Sequence, residues 1–100
     1  MITKYETKIP KEIVHSDFLR LMNQLWKLIP MRENGENWER QLTMVTIEIA
    51  GLNQLFSTDL NFTVLLSKLE GLQVEKDIDF LDYRKTVFDS IDLLKRMEIE

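Results

Sequence analysis

Apolar residues recur every three or four positions through most of the chain, which is the spacing of amphipathic helices. The longest regular stretch lies between residues 38 and 56. Val45, Ile47 and Ile49 also alternate as they would in a strand, but a strand leaves the flanking apolar positions unexplained. Because helices are longer than strands, the length of the pattern favours a helix, although Gly51 disfavours it by about 1 kcal/mol relative to alanine. The helical stripe consists of Trp38, Leu42, Val45, Ile49, Leu52 and Phe56.

Three further segments show the same spacing. The first covers about residues 10–29 and is expected to end before Pro30, because a residue that precedes proline disfavours helical backbone. The third helix is shorter, and Gly71 is expected to end it in the left-handed conformation that terminates many helices. The last begins near Asp77 or Asp79, since either side chain can cap a helix. The apolar positions of the last two are Leu60, Phe62, Leu65, Leu66 and Leu69, and then Phe80, Tyr83, Val87, Ile91 and Leu94.

Short connections separate these segments. Between the first and second helices lies the turn dipeptide Asn34-Gly35, after which Asn37 can cap the second helix. Residues 1–8 are polar, with few apolar positions, and are expected to form a short N-terminal arm or an edge strand. The sequence therefore predicts one all-α domain over residues 1–100. Its fold would be a four-helix antiparallel bundle, or something close to it, preceded by the arm.

Composition adds an expectation about the cellular setting. Of the 100 residues, 44% are hydrophobic and 30% are charged, as in an ordinary folded protein. There is no cysteine, so disulfides and thiolate chemistry are excluded and a soluble, cytoplasmic protein is expected. The first residues lack the apolar core of a signal peptide. No apolar run approaches the roughly 18 residues that a membrane-spanning helix needs.

The net charge of −4 is unevenly distributed. Between residues 1 and 30, five basic residues stand against three acidic ones, whereas residues 77–100 contain seven acidic and four basic residues. Binding to a phosphate backbone needs concentrated lysine and arginine, and adjacent basic pairs occur only in the acidic last quarter. Nucleic-acid binding is therefore disfavoured and is kept as an alternative. It would use the basic residues of the N-terminal third, Lys4, Lys8, Lys11, Arg20 and Lys27.

Residues that carry chemistry are sparse. His15 is the only histidine, which excludes metal sites that need two. Residues 77–82 lack the glycine of a calcium-binding loop, and the three glycines are too isolated to form a phosphate-binding loop. We therefore expect no enzyme activity, cofactor, metal site or small-molecule substrate. One alternative is a small enzyme or metal protein whose acids converge at a subunit interface, namely Glu36, Glu39, Asp79 and Asp82.

The second helix carries more apolar surface than one face of a bundle helix requires. Away from its main stripe lie Met44, Ile47 and Leu55, with Gly51 among them. Two interpretations compete. In the first, the helix is central and the other three helices cover it. In the second, this group packs on another chain, where Gly51 would allow close approach and Met44 would adapt to the partner surface.

Two tryptophans extend the second interpretation. Trp26 and Trp38 flank a short connector and are expected near the same end, and tryptophan is common in cores and in interface hot spots. The predicted function is a non-catalytic protein–protein interaction module that acts as a small regulator, inhibitor or assembly subunit. Its partner would be another protein or a second copy of the chain. The predicted interface residues are Met44, Ile47, Gly51, Leu55, Trp26 and Trp38.

Overall fold

The chain forms four α-helices in a computed structural model that describes residues 10–55 and 60–99. These are α1 (Lys11–Glu33), α2 (Trp38–Leu55), α3 (Leu60–Val74) and α4 (Phe80–Ile99). Within those two ranges there is no strand, and residues 45–49 are helical. The all-α class and the four-helix architecture are thus confirmed. The predicted arm, residues 1–8, lies outside the described residues.

The helices form a closed ring in which each packs against two others. α1 and α3 each contact both α2 and α4. Two contacts between α1 and α2 show the relative direction of these helices. Arg20 of α1 meets Glu48 of α2, whereas Gln24, one turn later in α1, accepts a hydrogen bond from Gln41, an earlier residue of α2. The two helices therefore run antiparallel, as expected for a bundle with short connections.

One apolar core fills the ring. At its centre, Phe18 and Phe62 meet edge to face with their ring centroids 6.1 Å apart, so that α1 and α3 touch across the bundle. Fully burying a large apolar side chain contributes about 1.5–3 kcal/mol to folding. All four helices supply the largest fully buried side chains: Phe18, Leu21, Leu25, Leu28, Leu42, Ile49, Phe62, Leu65, Leu69, Leu72, Tyr83 and Ile91.

The first helix does not end before Pro30, so that prediction is wrong. α1 continues to Glu33 with the proline inside it. Proline lacks the N–H of a helical hydrogen bond, but the carbonyl of Pro30 accepts the N–H of Asn34 at 2.9 Å and continues the helix. Ile29, just before the proline, is buried in the core. Packing of this last turn therefore outweighs the local preference of a residue that precedes proline.

Gly71 does not end α3, so that prediction is also wrong. The helix continues to Val74, and of the three glycines only Gly35 has a positive φ, at +70°. The residue after Gly71, Leu72, is buried in the core. An end at Gly71 would have withdrawn this side chain, so burial of the last turn extends the helix.

The remaining signals at helix ends agree with the structure. Gly35 forms the left-handed turn that follows α1, and the side-chain oxygen of Asn37 accepts the N–H of Arg40 at 3.2 Å, as a helix cap does. Asp79 directly precedes α4, and its backbone carbonyl accepts the N–H of Tyr83 at 2.9 Å. Asn37 therefore caps α2 as predicted, whereas Asp79 accepts the backbone hydrogen bond that opens α4, and a cap by its side chain stays a prediction.

Candidate interaction surface

The extra apolar residues of α2 lie on the side that faces away from the core. Met44 is 52% exposed and Ile47 is 65% exposed, whereas Val45 and Ile49 on the opposite side are fully buried. Gly51 is exposed as well. We call Met44, Ile47 and Gly51 the α2 outer face. α2 packs side by side with α1 and α3 and meets α4 where Trp38 contacts Tyr83, so the described residues leave this face uncovered.

Leu55 differs from the other predicted interface residues of α2. It is partly buried and packs against the edge of the hydrophobic core. Contacts within the chain therefore account for much of its apolar side chain. Only the remaining exposed part is available to another molecule, at the end of the α2 outer face.

Packing within the described ranges does not require a glycine at position 51. A Cβ atom built on Gly51 would meet no atom within 4 Å, and the residue lies within a helix, where glycine costs about 1 kcal/mol relative to alanine. Gly71 on α3 is in the same situation. Packing within the described residues thus gives no reason for the small residue at this end of the α2 outer face.

An ion pair borders the α2 outer face on the side of α1. The side chains of Arg20 and Glu48 approach to 2.6 Å. Seven residues before Arg20 is the exposed Ile13, and seven residues after Glu48 is Leu55. Seven helical residues span about 10 Å. Since the helices are antiparallel, Ile13 and Leu55 lie at the same level and continue the apolar surface beyond the ion pair.

Trp26 lies on a different surface from the α2 outer face. It is 43% exposed, and its ring meets Phe88 of α4 edge to face with the centroids 4.9 Å apart. The guanidinium carbon of Arg84 lies 5.2 Å from the centroid of the same Phe88 ring. Trp26 therefore belongs to the seam between α1 and α4, whereas Arg20 marks the seam between α1 and α2.

Trp38 is partly buried and packs against the core at the start of α2. Its ring meets Tyr83 edge to face with the centroids 5.1 Å apart, and the guanidinium carbon of Arg32 lies 5.4 Å from its centroid. These contacts explain Trp38 within the chain. The two tryptophans thus pack against different parts of α4, and the structure does not join them in one surface with Met44.

Arg32 and Tyr83 lie where the end of α1 meets the starts of α2 and α4. Nη2 of Arg32 donates a hydrogen bond to the carbonyl of Ile78, while Nη1 is buried with no hydrogen-bond partner in the described part of the chain. The hydroxyl of Tyr83 donates to the carbonyl of Leu28 at 2.8 Å. Burial raises the pKa of Tyr83 well above its ordinary value, and the positive charge of Arg32 opposes this only in part. The phenol is therefore a structural hydrogen-bond donor.

A shallow cleft lies between α2 and α3. Its volume of about 200 Å³ is below the ~300 Å³ of typical small-molecule sites. Its polar groups already bind one another. Lys76 and Glu39 form an ion pair at 3.1 Å, and Gln73 donates to the Thr43 hydroxyl at 3.2 Å. The cleft thus offers no unpartnered group that would select a ligand.

The two alternative residue sets are not assembled into sites. In the basic set, Arg20 pairs with Glu48 and Lys27 is exposed, while Lys4, Lys8 and the side chain of Lys11 are outside the described part. In the acidic set, Glu39 pairs with Lys76. Across residues 10–55 and 60–99, no three histidine, aspartate or glutamate side chains are grouped closely enough to hold a metal ion. All four members of the acidic set are exposed.

The sequence interpretation missed a second exposed apolar group, on α3. Val74 is 83% exposed, and Leu60 and Val64 are exposed as well. With Gly71 they lie at intervals of four, seven and three residues, which places them on the side of α3 away from the core. That spacing is visible in the sequence. The stripe of buried leucines in the same helix already accounts for the helical period, so this second group of exposed residues was not predicted.

None of the helices in the described ranges is both long and apolar enough to cross a membrane. No protein-family profile matches the chain, and no curated protein or solved structure is significantly similar to it.

Proposed function

We propose that the chain is a non-catalytic protein–protein interaction module that packs its α2 outer face against another protein chain. In this role it would act as a small regulator, inhibitor or assembly subunit in the cytoplasm. The observation that carries the proposal is the exposure of Met44 and Ile47 one turn apart beside Gly51, on a helix whose opposite side already fills the core. Single exposed apolar residues are common, but this group forms a continuous face.

Burial of this face would supply a useful part of a binding free energy. Each fully exposed side chain of this size contributes about 1.5–3 kcal/mol when it is buried. Since Met44 and Ile47 are about half to two thirds exposed, together they would contribute about 2–3 kcal/mol, or roughly a 30- to 150-fold change in affinity. Gly51 would let a partner backbone approach closely. The exposed Ile13 on α1 would enlarge the contact.

Capture of proteins from a host extract tests the proposal. The bait chain is used as the wild type, as Met44→Asp and as Val64→Asp. The last variant makes the same kind of change at an exposed apolar position in the middle of α3 and serves as a matched control. We expect a protein that the wild type and Val64→Asp retain and that Met44→Asp loses. Thermal unfolding followed by circular dichroism should show that all three baits are folded.

Hydrogen exchange then identifies the contact. In the retained complex, amides of α2 around Ile47 should exchange more slowly than in the free chain. Equal capture by Met44→Asp and the wild type would contradict the proposal, and loss with Val64→Asp alone would place the interface on α3. The cytoplasmic location is part of the proposal and rests on the sequence; cell fractionation tests it.

A further inference from the structure

We propose that the occupant of the α2 outer face is an acidic amphipathic helix of a partner protein. This inference rests on the proposed function and specifies the chemistry of the partner. Two basic side chains at one end of the face, Lys27 and Arg40, carry it. Both are exposed, and neither forms an ion pair within the described residues.

The positions of Lys27 and Arg40 follow from the helix geometry. Seven residues correspond to about two helical turns, so Lys27 projects from the same side of α1 as Arg20, which reaches α2. Arg40 precedes Met44 by four residues and therefore lies on the same side of α2 as Met44. Since Gln24 and Gln41 are bonded across the seam, Lys27 and Arg40 occupy the same end of it.

One acidic side chain beside the face is already paired. Glu48, which lies beside the middle of the face, forms an ion pair with Arg20 at 2.6 Å. The α2 outer face thus has an apolar centre and, at one end, two basic side chains that form no ion pair among the described residues. A helix that presents an apolar stripe flanked by carboxylates complements both features, whereas a basic helix would place like charges together.

The dimensions of the face suit a helix rather than a flat surface. From Arg40 to Leu55 is about 22 Å along the axis of α2, the length of about four helical turns. Apolar side chains at intervals of three and four residues on a partner helix would pack along Met44 and Ile47. Gly51 would accept the closest approach of the partner backbone.

Two synthetic helical peptides test the inference in fluorescence anisotropy with the full chain. Both have 18 residues and the same leucine stripe; one has glutamate and the other lysine at the flanking positions. We expect the glutamate peptide to bind about tenfold more tightly than the lysine peptide at low salt. This preference should shrink as salt is added, because exposed charges are screened.

Charge reversal on the protein provides the decisive comparison. In the double variant Lys27→Glu and Arg40→Glu, the preference should invert in favour of the lysine peptide. Lys85→Glu, at an exposed position on α4, is the control and should keep the wild-type preference. Met44→Asp should weaken both peptides, because it removes the apolar contact that they share.

The outcomes separate this inference from the proposed function. If the wild type binds both peptides equally and Met44→Asp abolishes this binding, the acidic partner is overturned. The α2 outer face then remains an interaction site. Failure of the glutamate peptide to bind would overturn the inference directly. A dimer in light scattering that Met44→Asp dissociates would replace the acidic helix with a second copy of the chain. Unchanged peptide binding by Met44→Asp would count against the face itself.

Discussion

The guanidinium carbon of Arg32 lies 4.6 Å from the ring centroid of Tyr83, where the last turn of α1 meets the first turn of α4. The same guanidinium donates a hydrogen bond to the carbonyl of Ile78 in the connection that precedes α4. One side chain therefore joins α1 to the α3–α4 connection. It can do so only because α1 continues through Pro30.

Replacement of Arg32 by methionine should lower the free energy of unfolding by about 1–3 kcal/mol. The variant loses a hydrogen bond from a charged donor and a cation–π contact, and the loss is offset in part because the unpaired Nη1 is removed as well. Urea unfolding measures the change. Arg84→Met is the control, since Arg84 makes a cation–π contact with the Phe88 ring, and it should cost less than about 1 kcal/mol. Equal costs for the two variants would show that the contact with Ile78 is unimportant.

The buried phenol of Tyr83 should make stability fall at alkaline pH. Because burial raises its pKa in the folded state, the folded chain keeps the proton at a pH where the unfolded chain has lost it. The stabilisation is complete below the unfolded pKa of about 10 and decreases by up to about 1.4 kcal/mol per pH unit above it. Unfolding of the wild type and Tyr83→Phe between pH 8 and 11 measures this effect.

The difference between those two proteins isolates the tyrosine, because every other titratable group is common to both. At pH 8, Tyr83→Phe should be less stable by about 1 kcal/mol through loss of its hydrogen bond to Leu28. Above pH 10 the gap should narrow. A constant gap over the whole range would mean that the phenol is not protected by the fold.

The glycines should respond in opposite directions to replacement by alanine. Gly35 has a φ of +70°, so alanine there should cost about 1–2 kcal/mol. Gly51→Ala should instead stabilise the free chain by up to about 1 kcal/mol, because a Cβ meets no atom within 4 Å. Thermal unfolding measures both. Destabilisation by Gly51→Ala would reveal a requirement for glycine inside the chain.

Two isoleucines of α2 form a matched pair for the two sides of the helix. Ile49→Ala should lower the free energy of unfolding by about 2–5 kcal/mol, because it opens a cavity at a fully buried position. Ile47→Ala should change it by no more than about 0.5 kcal/mol, since its side chain is mostly exposed. Urea unfolding compares them. Similar losses for both variants would show that Ile47 belongs to the core.

The helical period was sufficient to predict which side of α2 is buried. Of the predicted stripe, Leu42, Val45 and Ile49 have no exposed surface and Trp38 and Leu52 are partly buried, while Phe56 lies outside the described residues. Pro30 and Gly71 were misjudged for the same physical reason. The local preference of each residue against a continuing helix amounts to a few kcal/mol or less. Core contacts of the same or the next helical turn outweigh it. Those contacts depend on residues far away in the sequence.

The candidate surface was predictable only in part. The period gives the angle of a side chain around its own helix, so the outward direction of Met44 and Ile47 follows from it. It does not identify the neighbouring helix. Trp26 therefore could not be assigned to the α1–α4 seam, nor Trp38 to the edge of the core. The basic pair Lys27 and Arg40 likewise depends on the register of two antiparallel helices, which only the fold defines.

The ring order also bears on how the chain folds. Three of its four helix–helix contacts join segments that follow one another directly, so little loop-closure entropy opposes them. Such local contacts favour rapid folding. The seam that contains Trp26 and Phe88 is different, since it joins the first helix to the last. We expect two helical hairpins, α1–α2 and α3–α4, to form early, and their docking along both the α1–α4 and the α2–α3 contacts to complete the native state.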